Sequence, residues 1–234
     1  MLFRSVADAV AIFSGGLDST TLLYHLRAAG DEVRALSVDY GQRHRTAELA
    51  AARAIAETLG VEHRVLDLRG LVGFFGPNSL TDASVAVPDG AYAPDTMALT
   101  VVPNRNMILL AVGLAWAASS GADAVAFGAH GGAYTPYPDC QPAFAAAMHA
   151  AARVCDARPL AVLAPFVAWS KADIVRRAVV LDVPLAGTWS CYAGGAVHCG
   201  RCGTCLDRRA AFAAAGVPDP TAYAAGLQNP GAAV

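Results

Sequence analysis

An apolar run that breaks into a glycine pair flanked by hydroxyls constrains this chain more than any other stretch. Ala9-Val10-Ala11-Ile12-Phe13 reads as a buried strand, Ser14-Gly15-Gly16-Leu17-Asp18-Ser19-Thr20 as a tight turn, and Thr21-Leu22-Leu23-Tyr24-His25-Leu26 as the helix it feeds. Such a turn sets backbone N–H groups beside the positive end of a helix dipole, an arrangement suited to a phosphate. Gly15 and Gly16 lack a Cβ, so an anion can approach the main chain. Ser14 and Ser19 add hydroxyl donors, and Asp18 can cap the helix or hold a magnesium ion. The lysine of a Walker loop and the third glycine of a dinucleotide fingerprint are both missing. An ordinary strand-to-helix turn with a Ser/Asp cap is the plain alternative.

The surrounding elements say what such a turn sits in. Residues 32–39 read as a second strand, 46–59 as a helix with one apolar face closed by Gly60, and 61–68 as a third strand. This βαβαβ alternation predicts an α/β fold, a parallel sheet with helices on both faces and ligands at the carboxyl ends of its strands. Ser14 and the loop Tyr40-Gly41-Gln42-Arg43-His44 both lie at such ends. Residues 70–100, rich in Gly, Pro, Asp and Ser, predict a long functional or mobile loop. Val102-Pro103-Asn104-Arg105-Asn106 opens a helix reaching residue 119, with Pro103 suited to its start. A strand over 124–128, a helix over 142–153, an extended run over 160–166 and a helix from Lys171 to about residue 181 complete the pattern.

Composition narrows the class. The 234 residues allow one large domain plus a small appendage, read as 1–187, a cysteine-bearing helical segment over 188–217 and a loose tail over 218–234. Hydrophobic residues reach 55%, but much of that is alanine, and no uninterrupted apolar stretch is long enough for a membrane span. A net charge of −2 argues against broad nucleic-acid binding. Asp8 interrupts the N-terminal apolar residues before any cleavage signal, so a cytoplasmic location without a leader is expected.

Four of the six cysteines, Cys191, Cys199, Cys202 and Cys205, fall within fifteen residues. The run Cys199-Gly200-Arg201-Cys202-Gly203-Thr204-Cys205 lets the chain turn between thiols so that sulfurs converge. Four thiolates suit a closed tetrahedral Zn²⁺, worth on the order of 10 kcal/mol to local folding. An iron–sulfur cluster is the competing reading. His198 can replace one thiol, though four cysteines need no substitute, and Cys155 reads as a small hydrophobe.

Ser-Gly-Gly-x-Asp-Ser after a first strand resembles the pyrophosphate loop of the ATP pyrophosphatases, which split ATP between its α and β phosphates and adenylate an oxygen. Further stretches sharpen this: Asp39-Tyr40-Gly41-Gln42-Arg43-His44, Val102-Pro103 with Arg105-Asn106, Tyr137-Pro138-Asp139-Cys140, Trp169-Ser170-Lys171, and Cys191-Tyr192 through Cys205. In that order, over residues 10–209, they resemble the 7-cyano-7-deazaguanine synthase (QueC) family. The resemblance implies a Rossmann-like fold of the adenine nucleotide alpha hydrolase type. It also implies a homodimeric enzyme that uses ATP, Mg²⁺ and ammonia to turn 7-carboxy-7-deazaguanine into its nitrile, and that carries Zn²⁺.

By the same resemblance, residues 13–20 (Phe13, Ser14, Gly15, Gly16, Leu17, Asp18, Ser19, Thr20) hold the nucleotide and its magnesium. Asp18, Arg105, Lys171 and His44 become catalytic candidates, with His44 either a proton shuttle or a loop hydrogen bond; Gln42, Tyr137 and Asp139 become substrate contacts. Three charges usual in the family are replaced by Ala133, Gln141 and Ala143, which raises an alternative: a relative that stops at the amide or passes the acyl group to another amine, including one on a protein. A tRNA-thiolating relative lacks its basic extension here, and a non-enzymatic zinc module leaves the nucleotide loop unexplained.

Overall fold

The computed structural model describes residues 8–131 and 137–224. Strands β1 (Asp8–Ile12), β2 (Glu32–Asp39), β3 (His63–Asp67), β4 (Ala124–Ala126) and β5 (Ala161–Leu163) form a sheet in the order β3-β2-β1-β4-β5. Every pairing is parallel, as the βαβαβ pattern predicts. The order reverses between β1 and β4, so a crevice opens where their carboxyl ends part, the usual ligand position in such sheets.

The helices are α1 (Leu17–Ala28), α2 (Arg45–Leu59), α3 (Pro94–Ala98), α4 (Arg105–Ser120), α5 (Pro142–Ala152), α6 (Lys171–Val180) and α7 (Gly203–Ala215). Side chains alternate across each strand and so feed two cores. Val10, Leu36, Val38 and Val125 pack with Leu110, Leu114 and Met148 of α4 and α5. Ala11, Val33, Ala35 and Ala126 pack with Leu22, Ile55, Ile174 and Phe212 of α1, α2, α6 and α7. Each fully buried Leu, Ile or Phe contributes about 2 kcal/mol by leaving water. Small residues let α4 lie close: a Cβ on Gly113 would sit 3.0 Å from both Ile12 Cδ1 and Val125 Cγ1.

Several boundaries differ from the sequence reading. Helix α4 starts at Arg105 rather than at Pro103, because Asn104 takes a left-handed conformation (φ 59°) that redirects the chain. Residues 70–100 are anchored: Asn78 Oδ1 accepts from the N–H groups of Leu80 and Thr81, Leu80 is fully buried, and Arg43 Nη2 donates to the carbonyls of Asp82 and Val85. Residues 188–217 are no loose appendage, since Ala211 and Phe212 belong to the second core. Residues 218–224, read as the start of a tail, pack on the cysteine segment. Ala224 N donates to His198 O at 2.8 Å, and Thr221 is buried. The remainder of that tail, and Ala133, lie outside the described residues. No helix among the described residues is long and apolar enough to cross a membrane.

Candidate active site

Strand β1 ends at Ile12, and Gly16 caps α1, so the turn between them is as short as the residues suggest. Gly15 has φ +72°, and a Cβ there would meet Ala52 N at 2.5 Å and Glu48 O at 3.0 Å. The turn is therefore pressed against the first part of α2. Ser14 N donates to Ser19 Oγ at 3.2 Å, Gly16 N donates to Ser14 Oγ at 3.3 Å, and the two hydroxyls lie 3.1 Å apart. Phe13, Ser14, Gly16, Leu17, Asp18 and Ser19 line a cavity of about 350 Å³ at the carboxyl ends of β1 and β4. Gly15 and Thr20 lie behind its lining, with Thr20 wholly buried.

One corner of the cavity is a charge cluster drawn from four elements. Asp18 Oδ2 lies 3.4 Å from Lys171 Nζ and 3.5 Å from His130 Nε2; Lys171 Nζ also donates to Asp207 Oδ2 at 2.7 Å. Burial alone would push the Asp18 carboxyl up, but Lys171 and His130 outweigh it and hold the group below its ordinary range. Burial likewise works against the Lys171 ammonium, and Asp18 and Asp207 reverse that. Asp18 Oδ1 is buried without a hydrogen-bond partner. An acceptor left open in a buried carboxylate fits one ligand position of a magnesium ion. His130 and Asp207, on the β4 loop and α7, carry no local signal that would have singled them out.

The opposite wall holds the remaining candidates. Arg105 Nη1 donates to Tyr40 Oη at 3.3 Å, and Tyr40 keeps its guanidinium firmly charged against burial. Tyr137, Asp139 and Cys140 line the cavity beside Arg105 and Asn106. Tyr92, from the long loop, meets Tyr137 edge-on at 6.1 Å. His44 is buried, and burial reinforced by Arg105 brings its pKa down to about 4, so its ring is neutral near pH 7. Gln42 is fully engaged: Oε1 accepts from Tyr40 N, and Nε2 donates to Val38 O and to Glu48 Oε2 at 2.7 Å. Its amide braces the loop, and Gln42 also lines the cavity. Gln141 and Ala143 are not among the lining residues, although Cys140 beside them is.

Glu48 is the residue the sequence reading missed. It lines the same cavity, and burial pushes its carboxyl up to about 7, tempered by the hydrogen bond from Gln42. A carboxyl whose folded pKa exceeds its unfolded one costs stability as pH rises through that interval, because the native state there binds the extra proton. Glu48→Gln is therefore expected to stabilise the ligand-free protein by about 3 kcal/mol at pH 8 and by almost nothing at pH 4. Thermal melts of both proteins at the two pH values measure the difference.

The cysteine segment backs this site. The ligand sulfurs of Cys191, Cys199, Cys202 and Cys205 all lie within 4.8 Å of one another. Cys199 N and Ala193 N donate to Cys191 Sγ, and Cys202 N donates to Cys199 Sγ. Backbone donors aimed at sulfur stabilise thiolate, so the donor set fits a closed four-thiolate metal centre. Two residues before the first cysteine, Trp189 N donates to Gly15 O at 2.9 Å. Tyr192 stacks obliquely on His44 at 5.3 Å, and Trp189, Ser190, Tyr192, Thr204 and Asp207 line the cavity. Arg201 holds Asp89 at 3.0 Å, which fastens the Tyr92 loop to the same segment.

With that geometry in view, the chain matches the family model described as "Queuosine biosynthesis protein QueC" over residues 8–216. It is 52% identical over 219 residues to a 7-cyano-7-deazaguanine synthase of Rhizobium meliloti, covering 92% of this chain and 91% of that one. Synthases of the same name from Paracoccus denitrificans and Chromohalobacter salexigens are 50% and 47% identical, over 92% and 94% of this chain and 92% and 88% of theirs. Among solved structures, an NMN synthetase from Francisella tularensis aligns with 91% of this chain and 78% of its own at 13% identity, with a TM-score of 0.48.

Proposed function

The chain belongs to the QueC family of queuosine biosynthesis enzymes, and from that premise we propose that it converts 7-carboxy-7-deazaguanine and ammonia to 7-cyano-7-deazaguanine at the expense of ATP. The observation that carries the reading is one cavity in which the Ser14–Ser19 turn and the Asp18–Lys171 pair face Arg105 and Asp139. One end suits a triphosphate; the other offers a cation and an acid to a guanine-like carboxylate.

The chemistry needs both ends. A carboxylate is a poor electrophile, because its leaving group would be oxide. Transfer of AMP to that oxygen makes it a good leaving group, and ammonia then displaces AMP to give the amide. A second AMP on the amide oxygen, followed by its loss, gives the nitrile. The same pyrophosphate grip serves both rounds, so the protein's contribution is positioning and charge stabilisation. Ser14, Gly15, Gly16 and Ser19 cradle the pyrophosphate, and Lys171 and Arg105 stand where negative charge develops. Magnesium, held by Asp18 and the phosphates, would neutralise that charge further. Zinc in the four-cysteine centre would fix the wall that carries Trp189 and Tyr192. Tyr137 and Asp139 take the base edge, where a carboxylate accepts the ring N–H donors and discriminates strongly against bases lacking them. His44, neutral, acts as a hydrogen-bonding neighbour.

The test supplies the protein with ATP, Mg²⁺, ammonium and the substrate labelled with ¹⁸O in its carboxylate. Mass spectrometry is expected to show the cyano product and AMP, with each carboxylate oxygen carried off in a separate AMP. Unchanged substrate, or ADP in place of AMP, overturns the reading; accumulation of the amide would replace it with a ligase that stops one step earlier. A cytoplasmic homodimer is proposed on the resemblance, and light scattering of the purified protein tests the pairing.

A further inference from the structure

Glu48 lines the cavity in which the proposed chemistry needs a proton acceptor. It stands in the first turn of α2, lines the cavity, and its own carbonyl abuts Gly15 of the phosphate turn. We infer that Glu48 is the general base that removes protons from the attacking and departing nitrogen. The assignment rests on the reading above and deepens it.

The carboxylate is oriented as a base should be. Gln42 Nε2 donates to Oε2 at 2.7 Å, and Gln42 is itself locked between Tyr40 N and Val38 O. A base held by a third group is the arrangement that activates nucleophiles generally. His44 Nε2 stands 3.7 Å from the same oxygen. Arg105 of α4 favours the charged carboxylate, while Asp39 at the end of β2 disfavours it alongside the larger effect of burial. Tyr40 also faces it. The outcome is a proton affinity near neutrality, where a general base works best. Of the other cavity acids and thiols, Asp18 and Asp207 pair with Lys171, Asp139 is assigned above to the base edge, and the Cys140 thiol is pushed up to about 11 by burial.

Each transfer balances. Ammonia nitrogen bonds to the activated carbon, the carbon–oxygen bond breaks with its electron pair leaving on AMP, and one nitrogen proton passes to Glu48. In the second round the amide oxygen bonds to the α-phosphorus of ATP, pyrophosphate leaves, and the nitrogen gives up a second proton. Loss of AMP with the carbon–oxygen electron pair then closes the triple bond as the last proton leaves. Glu48 returns each proton to solvent through its 13% exposed side chain.

Glu48→Gln separates the steps, because the first adenylation moves no nitrogen proton. Substrate-dependent ATP–pyrophosphate exchange is expected to stay within about threefold of wild type, while amide and nitrile formation fall by roughly a hundredfold. With free ammonia held constant across the pH range, product formation by wild type is expected to show an acidic limb near neutral pH that E48Q lacks, and Glu48→Asp is expected to regain part of the rate. Product formation within about threefold of wild type in E48Q, or exchange and product falling together, overturns the assignment. Exchange absent from the wild type sinks the parent reading and this base with it.

Discussion

Removal of the metal from the four-cysteine centre, by chelation or by Cys202→Ser, is expected to abolish ATP-dependent turnover and to lower the melting temperature by about 10 °C or more. The small cluster here consists of Cys191, Cys202 and Cys205 with a few partly buried neighbours, so little apolar burial replaces the metal bonds. A metal bound by the four cysteines would hold the wall of the site. Trp189 N reaches Gly15 O, Tyr192 packs on His44, and Asp207 holds Lys171. The damage is expected to stop short of α7, because Arg208 is fully buried and donates to Thr188 Oγ1, Ser190 Oγ and Leu185 O, while Phe212 sits in the second core. Metal analysis should return one zinc per chain and no visible absorption band; a brown protein with iron would establish the cluster alternative instead. Melting and turnover after chelation, followed by zinc readdition, measure the effect. Full turnover in metal-free protein would show that the segment plays no part in shaping the site.

Gly15→Ala is expected to cost more than a hundredfold in ATP–pyrophosphate exchange, and Gly60→Ala almost nothing, although both glycines have positive φ. At Gly60 (φ +67°) a Cβ meets nothing within 4 Å, so the cost is the left-handed conformation alone, about 1 kcal/mol of stability. At Gly15 (φ +72°) the same methyl would lie 2.5 Å from Ala52 N and 2.9 Å from Ala52 Cα. These are backbone atoms of a packed helix, with Ala52 fully buried, so the turn must move instead. Movement of the turn would displace the donors of Ser14, Gly16 and Ser19 from the phosphate they are proposed to hold, and loss of one such donor in a preorganised site costs on the order of a hundredfold in rate. Melting curves together with exchange rates separate the two variants. Equal activities would mean that the turn tolerates displacement and does not grip the phosphates.

The strands were legible because alternation and length are local properties, and the turn because only a few residue types accept its geometry. At Gln42 the loop position was legible, while the hydrogen bonds its amide makes with Tyr40, Val38 and Glu48 were not.

The sequence alone determined a parallel sheet, a tight glycine turn after its first strand and four thiols close enough to share one ion, because each is written in residues near one another along the chain. Tertiary structure alone decided that Glu48 is buried among Gln42, Arg105 and Asp39, that His130 and Asp207 join Asp18 and Lys171, and that the thiol segment forms a wall of the nucleotide turn. A proton affinity or an ion pair depends on desolvation and on charges brought from distant positions, and those exist only after the chain has closed on itself.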